Sequence, residues 1–360
     1  MTTDTKVQRR MTEVADDARE AQWLKWRSVA DLYHAFFTGL ILTVVTRRGT
    51  ADAAEFVLRV FRRQQQERFL PGLQKLGLSH LPPAVAAAQY HYLSNWIGGV
   101  HVEYMYETDR KAWIRYPPPR WIWRGTAICG VPGEVSRAML RGWHANNGVA
   151  LGNLKLGFVC TKQSVDGQDG LEGYYCEYDH PLELDQRLVF ARHLEAPRFD
   201  PAAAPALPVD SWPKPRLEKA YRNYAMEYVK TAAPVMVQVF GPADAGYLLH
   251  LTGKLIGMQY FDEIARAFLT SRGGARDFAA FLRVLFDSQD DVAEIAESGG
   301  AFEIKQQTWK LMEDVGDYHP ACAKVLEGLF EGLAAGCGRH IPVHLKPSAG
   351  GKPPFVWSVG

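Results

Sequence analysis

The chain has 360 residues, 47% hydrophobic and 22% charged, with a formal net charge of +1. That balance excludes extensive disorder, and the near-neutrality excludes a protein that lives on nucleic-acid phosphates, which needs a concentrated basic face. The length exceeds what one ordinary core covers, so two domains or one fused duplicate are expected.

Residues 1–20 are polar and carry no apolar signal region. The most apolar early stretch, residues 36–45, is too short to span a bilayer and runs at once into Arg47 and Arg48. A soluble cytoplasmic protein without membrane association is the expectation. The five cysteines, Cys129, Cys160, Cys176, Cys322 and Cys337, are odd in number and include no CxxC pair. A disulfide framework and a zinc knuckle are not expected, and a reducing compartment is.

In chain order, the first clear helix is predicted over 53–69. It sets Phe56, Val57, Val60 and Phe61 on one side and Arg59, Arg62 and Arg63 on the other. Gly98-Gly99 leads into a strand containing Val102-Glu103-Tyr104, and Pro117 marks a break. An insertion at 120–133 holds Trp121, Trp123 and Pro132. A helix with Leu140-x-Gly142 follows and ends at Gly152. Strands at 156–160 and 173–178 then flank a Gly-rich turn and read as a hairpin. Residues 195–215 are rich in Pro and Ala and read as an extended connector, with Trp212 expected against the surface. A helix is predicted from 216 to about 233, broken or kinked at Pro234.

The same succession of signals then recurs. Leu32-Tyr33-His34 is echoed by Leu248-Leu249-His250, Leu58-Arg59-Val60 by Leu282-Arg283-Val284, and Gly98-Gly99 by Gly299-Gly300. Glu103 is echoed by Glu303, Pro117 by Pro320, and Leu140-x-Gly142 by Leu326-x-Gly328. The last echo is a strand pair around Gly350-Gly351. The expected fold is therefore α+β, a tandem duplication of a helix-plus-small-antiparallel-sheet unit forming an internal pseudo-dimer. The expected divisions are 1–194 for the first copy, 195–215 for the connector and 216–360 for the second copy.

The order of elements, carried by residues 26–39, 98–107, 140–152 and 157–177, resembles the L-2-amino-thiazoline-4-carboxylic acid hydrolase-like family. More distantly it resembles the 4-vinyl-reductase-type ligand-binding domain. The resemblance implies binding of, or bond-cleaving action on, a small organic molecule. Relatives often carry cysteines in the final strand pair; here Cys160 and Cys176 hold such places in the first copy only.

Residues matched in both copies lean structural, as for His34 and His250, and residues polar in one copy alone lean functional. His144 and Asn147, three apart on one helix face, stand where the second copy has Phe330 and Leu333. A buried His and Asn need partners or a ligand; the His suits a general base and the Asn amide a substrate oxygen. A structural hydrogen-bonded pair is the alternative. A second constellation is Tyr221, Tyr224 and Tyr228 on one helical stripe, with Glu227 beside it as a second candidate base. A third is Tyr104 and Tyr106, alternating on a strand as a pocket floor. Aromatic stripes are also ordinary core.

No GxGxxG after a strand, Walker loop, GxSxG or HExxH occurs. No cofactor and no metal site are expected, although dispersed histidines such as His91 leave tertiary assembly of one conceivable. The leading expectation is a cofactor-independent lyase or hydrolase acting on a small aromatic catabolite. His144 or Glu227 would be its base, and Tyr104, Tyr106, Asn147, Tyr224 and Tyr228 would bind substrate. A non-catalytic ligand-binding or sensor protein is the alternative, and a homodimer is compatible with either.

Overall fold

The computed structural model describes residues 3–118, 122, 124–208, 210–346 and 349–360, with side chains from residue 17 onward. The described residues form an α+β protein with eight α-helices and two small sheets. Arg120, Trp121 and Trp123 of the predicted insertion lie outside the described residues. The chain divides into two compact units, Phe37–Leu217, and Met1–Phe36 with Glu218–Gly360.

In the Phe37–Leu217 unit, the last part of α1 (Thr3–Arg48) leads through Gly49 into α2 (Thr50–Lys75). Gly49 sits at φ 95, ψ 173, a conformation open to glycine, and so breaks the helix sharply. The α2 spacing works as read: Phe56, Val57, Val60 and Phe61 are buried, and the outer face carries Arg59–Glu55 and Arg63–Glu67 ion pairs at 2.6 and 2.7 Å. Next come α3 (Pro83–Ile97), the hairpin β1 (Glu103–Thr108) and β2 (Lys111–Tyr116), α4 (Gly133–Gly142) and the short α5 (Asn147–Ala150). The strands β3 (Leu156–Lys162), β4 (Leu171–Glu177) and β5 (Leu188–Phe190) complete the sheet, in the order β1-β2-β4-β3-β5. All its pairings are antiparallel except β3 with β5.

α4 crosses α2 so closely that a Cβ on Gly142 would stand 2.6 Å from the Leu58 carbonyl oxygen. Residues 191–208 and 210–213 run as turns and irregular chain. They are pinned at both ends. The buried Glu172 carboxylate accepts from the Thr161 hydroxyl (2.7 Å) and the Ala196 N–H (3.1 Å). Trp212 lies buried between the cations of Lys75 and Arg216.

In the other unit, α6 (Lys214–Phe268) is two helices joined at Gly241, which takes φ 75, ψ 164. The expected break at Pro234 is corrected: that proline lies inside the first of the two helices. The break needs a residue free to take positive φ, and Pro242 then opens the second helix, where its missing N–H costs nothing. α7 (Ala275–Gln289), the hairpin β6 (Ala293–Ser298) and β7 (Ala301–Gln306), α8 (Lys324–Cys337), β8 (Val343–Leu345) and β9 (Phe355–Val359) follow. Their antiparallel sheet runs β6-β7-β9-β8.

Several of the paired sequence signals occupy different places. Gly98-Gly99 precedes the β1–β2 hairpin, whereas Gly299-Gly300 is the turn inside the β6–β7 hairpin; Glu103 is on β1 and Glu303 on β7. Leu58 is on α2 and Leu282 on α7, while His34 precedes its glycine break and His250 follows its own. Gly-Gly serves any turn that needs positive φ, and a two- or three-residue match is too short to fix an element. Leu140-x-Gly142 and Leu326-x-Gly328 do fall on helices of the same order.

The apolar stretch near the N-terminus is longer in the helix than its most apolar core suggests. Asp17–Arg48 is long and apolar enough to cross a membrane by composition, and 61% of its most apolar window is buried inside the protein. Val29, Leu32, Tyr33, Phe36, Phe37, Leu40, Ile41 and Val44 are fully covered.

Candidate functional site

α4 ends after Gly142, and the chain turns through a short 3-10 segment, His144–Asn146, before α5 begins at Asn147. Asn146 makes that turn. Its side-chain amide donates to the carbonyls of Arg141 (2.7 Å) and Gly142 (3.1 Å), satisfying acceptors that the ending helix leaves open. The turn aims His144 and Asn147 inward, where both are buried.

There they meet a polar network drawn from four other elements: Gln65 of α2, His91 and Asn95 of α3, Tyr116 of β2 and Tyr175 of β4. Gln65 Nε2 lies 3.4 Å from Asn147 Oδ1, which fixes the orientation of the Asn147 amide. Asn147 Nδ2 then donates to Tyr175 Oη at 2.8 Å and to His91 Nε2 at 3.1 Å. With Nε2 accepting, the His91 proton resides on Nδ1, which faces Tyr116 Oη at 3.1 Å. Asn95 Nδ2 donates to the His91 carbonyl (2.8 Å) and reaches Tyr116 Oη at 3.5 Å. The His144 ring stacks on His91 with centroids 4.3 Å apart and planes 14° apart, and touches Phe158 at 4.7 Å. Tyr175 is fully buried, and desolvation pushes its phenol well above the ordinary range. The arrangement is a neutral imidazole held in one tautomer between an amide and a phenol, with a second imidazole laid on its face. Such a set can accept, hold and pass a proton.

The residues singled out in the sequence separate into groups. Asn147 and His144 are brought together through His91. Tyr104 is buried in the same unit, with its hydroxyl 3.4 Å from Gln89 Nε2 and its ring 6.1 Å from Tyr92. Tyr106 follows it on the same side of β1 but is 57% exposed and donates to Asp109 at 3.0 Å. Tyr224, Glu227 and Tyr228 belong to the other unit. There the two hydroxyls meet at 3.1 Å, and the Glu227 carboxylate lies 3.8 Å from Lys230 Nζ. Gln65, Asn95, Tyr116 and Tyr175 carried no sequence motif, and His91 stood only among the dispersed histidines. The available signal was His91 and Asn95 four apart on a helix otherwise rich in buried alanine.

Among the described residues no group of three or more His, Cys, Asp or Glu is placed to hold a metal. Cys160 is buried, donates to the Lys162 carbonyl at 3.4 Å, and burial pushes its thiol up to about 12, which disfavours the nucleophilic thiolate.

The other unit has its own buried charges. Arg222, fully covered, donates to the Ser288 carbonyl (2.7 Å) and to Asp290 (2.8 Å), holding the Asp290 carboxyl down at about 2. Asp291 accepts from the Lys310 N–H (2.5 Å) and Thr308 hydroxyl (3.4 Å), yet desolvation pushes it up to about 7. A small cleft beside α8 is lined by Glu327, Glu331, His344, Leu345 and Trp357. Its carboxylates are already paired, Glu331 with His250 and Lys254, and Glu327 with Lys324. In comparison with known proteins, the chain matches no family model, no curated protein and no solved structure.

Proposed function

We propose that the two units are diverged copies of one element set, and that the Phe37–Leu217 copy carries the working site of a small-molecule enzyme. Support for the duplication lies in matching geometry. Gly49 and Gly241 break their helices at nearly the same φ and ψ. Leu58 and His250, each nine residues past its glycine (58 − 49 and 250 − 241), offer the carbonyl on which Gly142 and Gly328 pack. Both sheets run first strand, second, fourth, third. Val100 N–H bonds to Asn95 O after a positive-φ Gly99, as Asp291 N–H bonds to Phe286 O after a positive-φ Asp290.

These anchors align His91 with Leu282, His144 with Phe330, Asn147 with Leu333, Tyr175 with Val359 and Gln65 with Gly257. Leu282, Phe330, Leu333 and Val359 are all fully buried. That contrast carries the proposal. The other copy fills these four positions with hydrocarbon, although the buried Gln306 stands at the place of Tyr116, so packing does not require a buried His–Asn–Tyr set in this one. Burying polar groups where apolar ones suffice is a cost that function explains.

The reaction is cofactor-independent lyase or hydrolase chemistry on a small aromatic molecule, in keeping with the family resemblance. His144 serves as the base, and Asn147 with Tyr116 fixes the tautomer of the His91 ring beneath it. A proton taken from the substrate leads to a lyase step, and one taken from water to hydrolysis. Glu227 has no part in this scheme. A soluble, cytoplasmic protein fits the burial of the apolar helix. A second reading, non-catalytic binding, is favoured by one observation: both N–H of the Asn147 amide are spent on His91 and Tyr175 and its oxygen accepts from Gln65, so the amide orders the network and is not directed at a reacting group.

The test is to give the site the residues of its counterpart, His91→Leu/His144→Phe/Asn147→Leu, and to screen small aromatic and heterocyclic compounds for turnover and binding. A folded variant without turnover supports the enzyme. Binding without turnover by the unaltered protein supports the second reading. Unchanged turnover in the variant refutes the site.

A further inference from the structure

The second half of α6 presents an apolar stripe away from its own core. Tyr247, Leu255 and Met258 are 59%, 47% and 43% exposed, and Leu251 between them is partly exposed. At about 100° per residue these four side chains fall within an arc of about 80°. The opposite face, with Leu249, Gly253, Gly257 and Phe261, is the one that packs in the unit.

Under the duplication proposed above, the same four positions on α2 are Glu55, Arg59, Arg63 and Gln66. There the face is charged and joined by ion pairs within the helix. Two helices with matching packed faces thus differ on the outer one, charged in the first and oily in the second. Solvent asks for the first pattern, and a partner for the second.

We propose that this face of α6 is the interface of a homodimer, with the helix packing antiparallel against its own copy about a two-fold axis at Leu255. The occupant is argued from charge. Asp244 and Arg266 lie eleven residues either side of Leu255 (255 − 244 and 266 − 255) and are both exposed. Antiparallel packing about Leu255 sets Asp244 of one chain beside Arg266 of the other, at about 16 Å from the axis on each side. The pair forms twice, because an isologous contact repeats every interaction. Leu251, Leu255 and Met258 supply the dry centre between them. The comparison with α2 rests on the duplication; the stripe and its charge pattern do not.

Sedimentation equilibrium of the whole chain tests the proposal. Twice the chain mass is expected for the unaltered protein. Leu255→Lys, which sets two like charges against each other on the axis, is expected to run as a single chain with unchanged circular dichroism. In a Cys129→Ser background, Leu255→Cys should be joined chain to chain by a short bis-maleimide, since the residue faces itself. Arg59→Cys on α2 should not be. A single-chain mass for the unaltered protein at every concentration overturns the proposal. So does a dimer in which Leu255→Cys fails to cross-link. Neither readout involves turnover, so this proposal and the enzymatic one fail separately.

Discussion

Asn147→Leu is the sharpest perturbation of the buried network, because under the proposed duplication its counterpart is Leu333 and size alone gives no reason for a large effect. Removing the amide strands His91 Nε2 and Tyr175 Oη, both inside the unit. Gln65 keeps the Asn146 carbonyl at 3.2 Å and is not stranded. Two buried groups without partners cost about 1–3 kcal/mol each, so the single variant should lose roughly 2–6 kcal/mol. His91→Leu strands one Asn147 N–H, while Tyr116 keeps Asn95, at a cost of about 1–3 kcal/mol. In the double variant neither His91 Nε2 nor the Asn147 N–H is present to be stranded, and only Tyr175 Oη loses its partner. The two changes should therefore cost less together than in sum, by about 2–6 kcal/mol. Urea unfolding and calorimetry of the four proteins measure this, with the transition of the Phe37–Leu217 unit followed in each. Costs that add to within about 0.5 kcal/mol would show that His91 and Asn147 do not act on each other, and the tautomer argument would fall.

Gly142→Ala should destabilise by about 1–3 kcal/mol, because the new methyl meets the Leu58 carbonyl at 2.6 Å and neither backbone can withdraw. Gly246→Ala, whose Cβ would have its nearest neighbour at 3.5 Å, should instead stabilise by about 0.5–1 kcal/mol through helix propensity; thermal unfolding checks both signs. Asp291 binds its proton more tightly in the folded chain, up to about 7, than in the unfolded one. Stability should therefore rise as pH falls from about 7 towards 4, and Asp291→Asn should flatten that rise in pH-dependent melting curves. Iodoacetamide should label exposed Cys129 in the native protein and reach buried Cys160 and Cys322 only after unfolding, as mass spectrometry would show.

Local periodicity was enough to read parts of the fold. The apolar spacing of Phe56, Val57, Val60 and Phe61 specified the buried face of α2, because a helix repeats its own surface every few residues. The two Leu-x-Gly signals fell on α4 and α8 because close backbone contact there admits only glycine. Gly-Gly pairs misled, since positive φ is demanded by many kinds of turn. The candidate site was half legible. His144 and Asn147 stood out against Phe330 and Leu333, whose alignment rested on a neighbouring glycine.

Composition and periodicity by themselves determined a neutral, mixed helix-and-sheet chain with enough apolar residues for two cores, because those properties need only local spacing. Only the tertiary structure decided that His91, Tyr175 and Gln65 surround the Asn147 amide, with Tyr116 on the other nitrogen of His91. Those side chains come from α2, α3, β2 and β4, far apart in the chain, and no local pattern encodes which helix face a distant strand will meet. It also placed Tyr224, Glu227 and Tyr228 in the other unit from His144, since only folding assigns a segment to one core or the other.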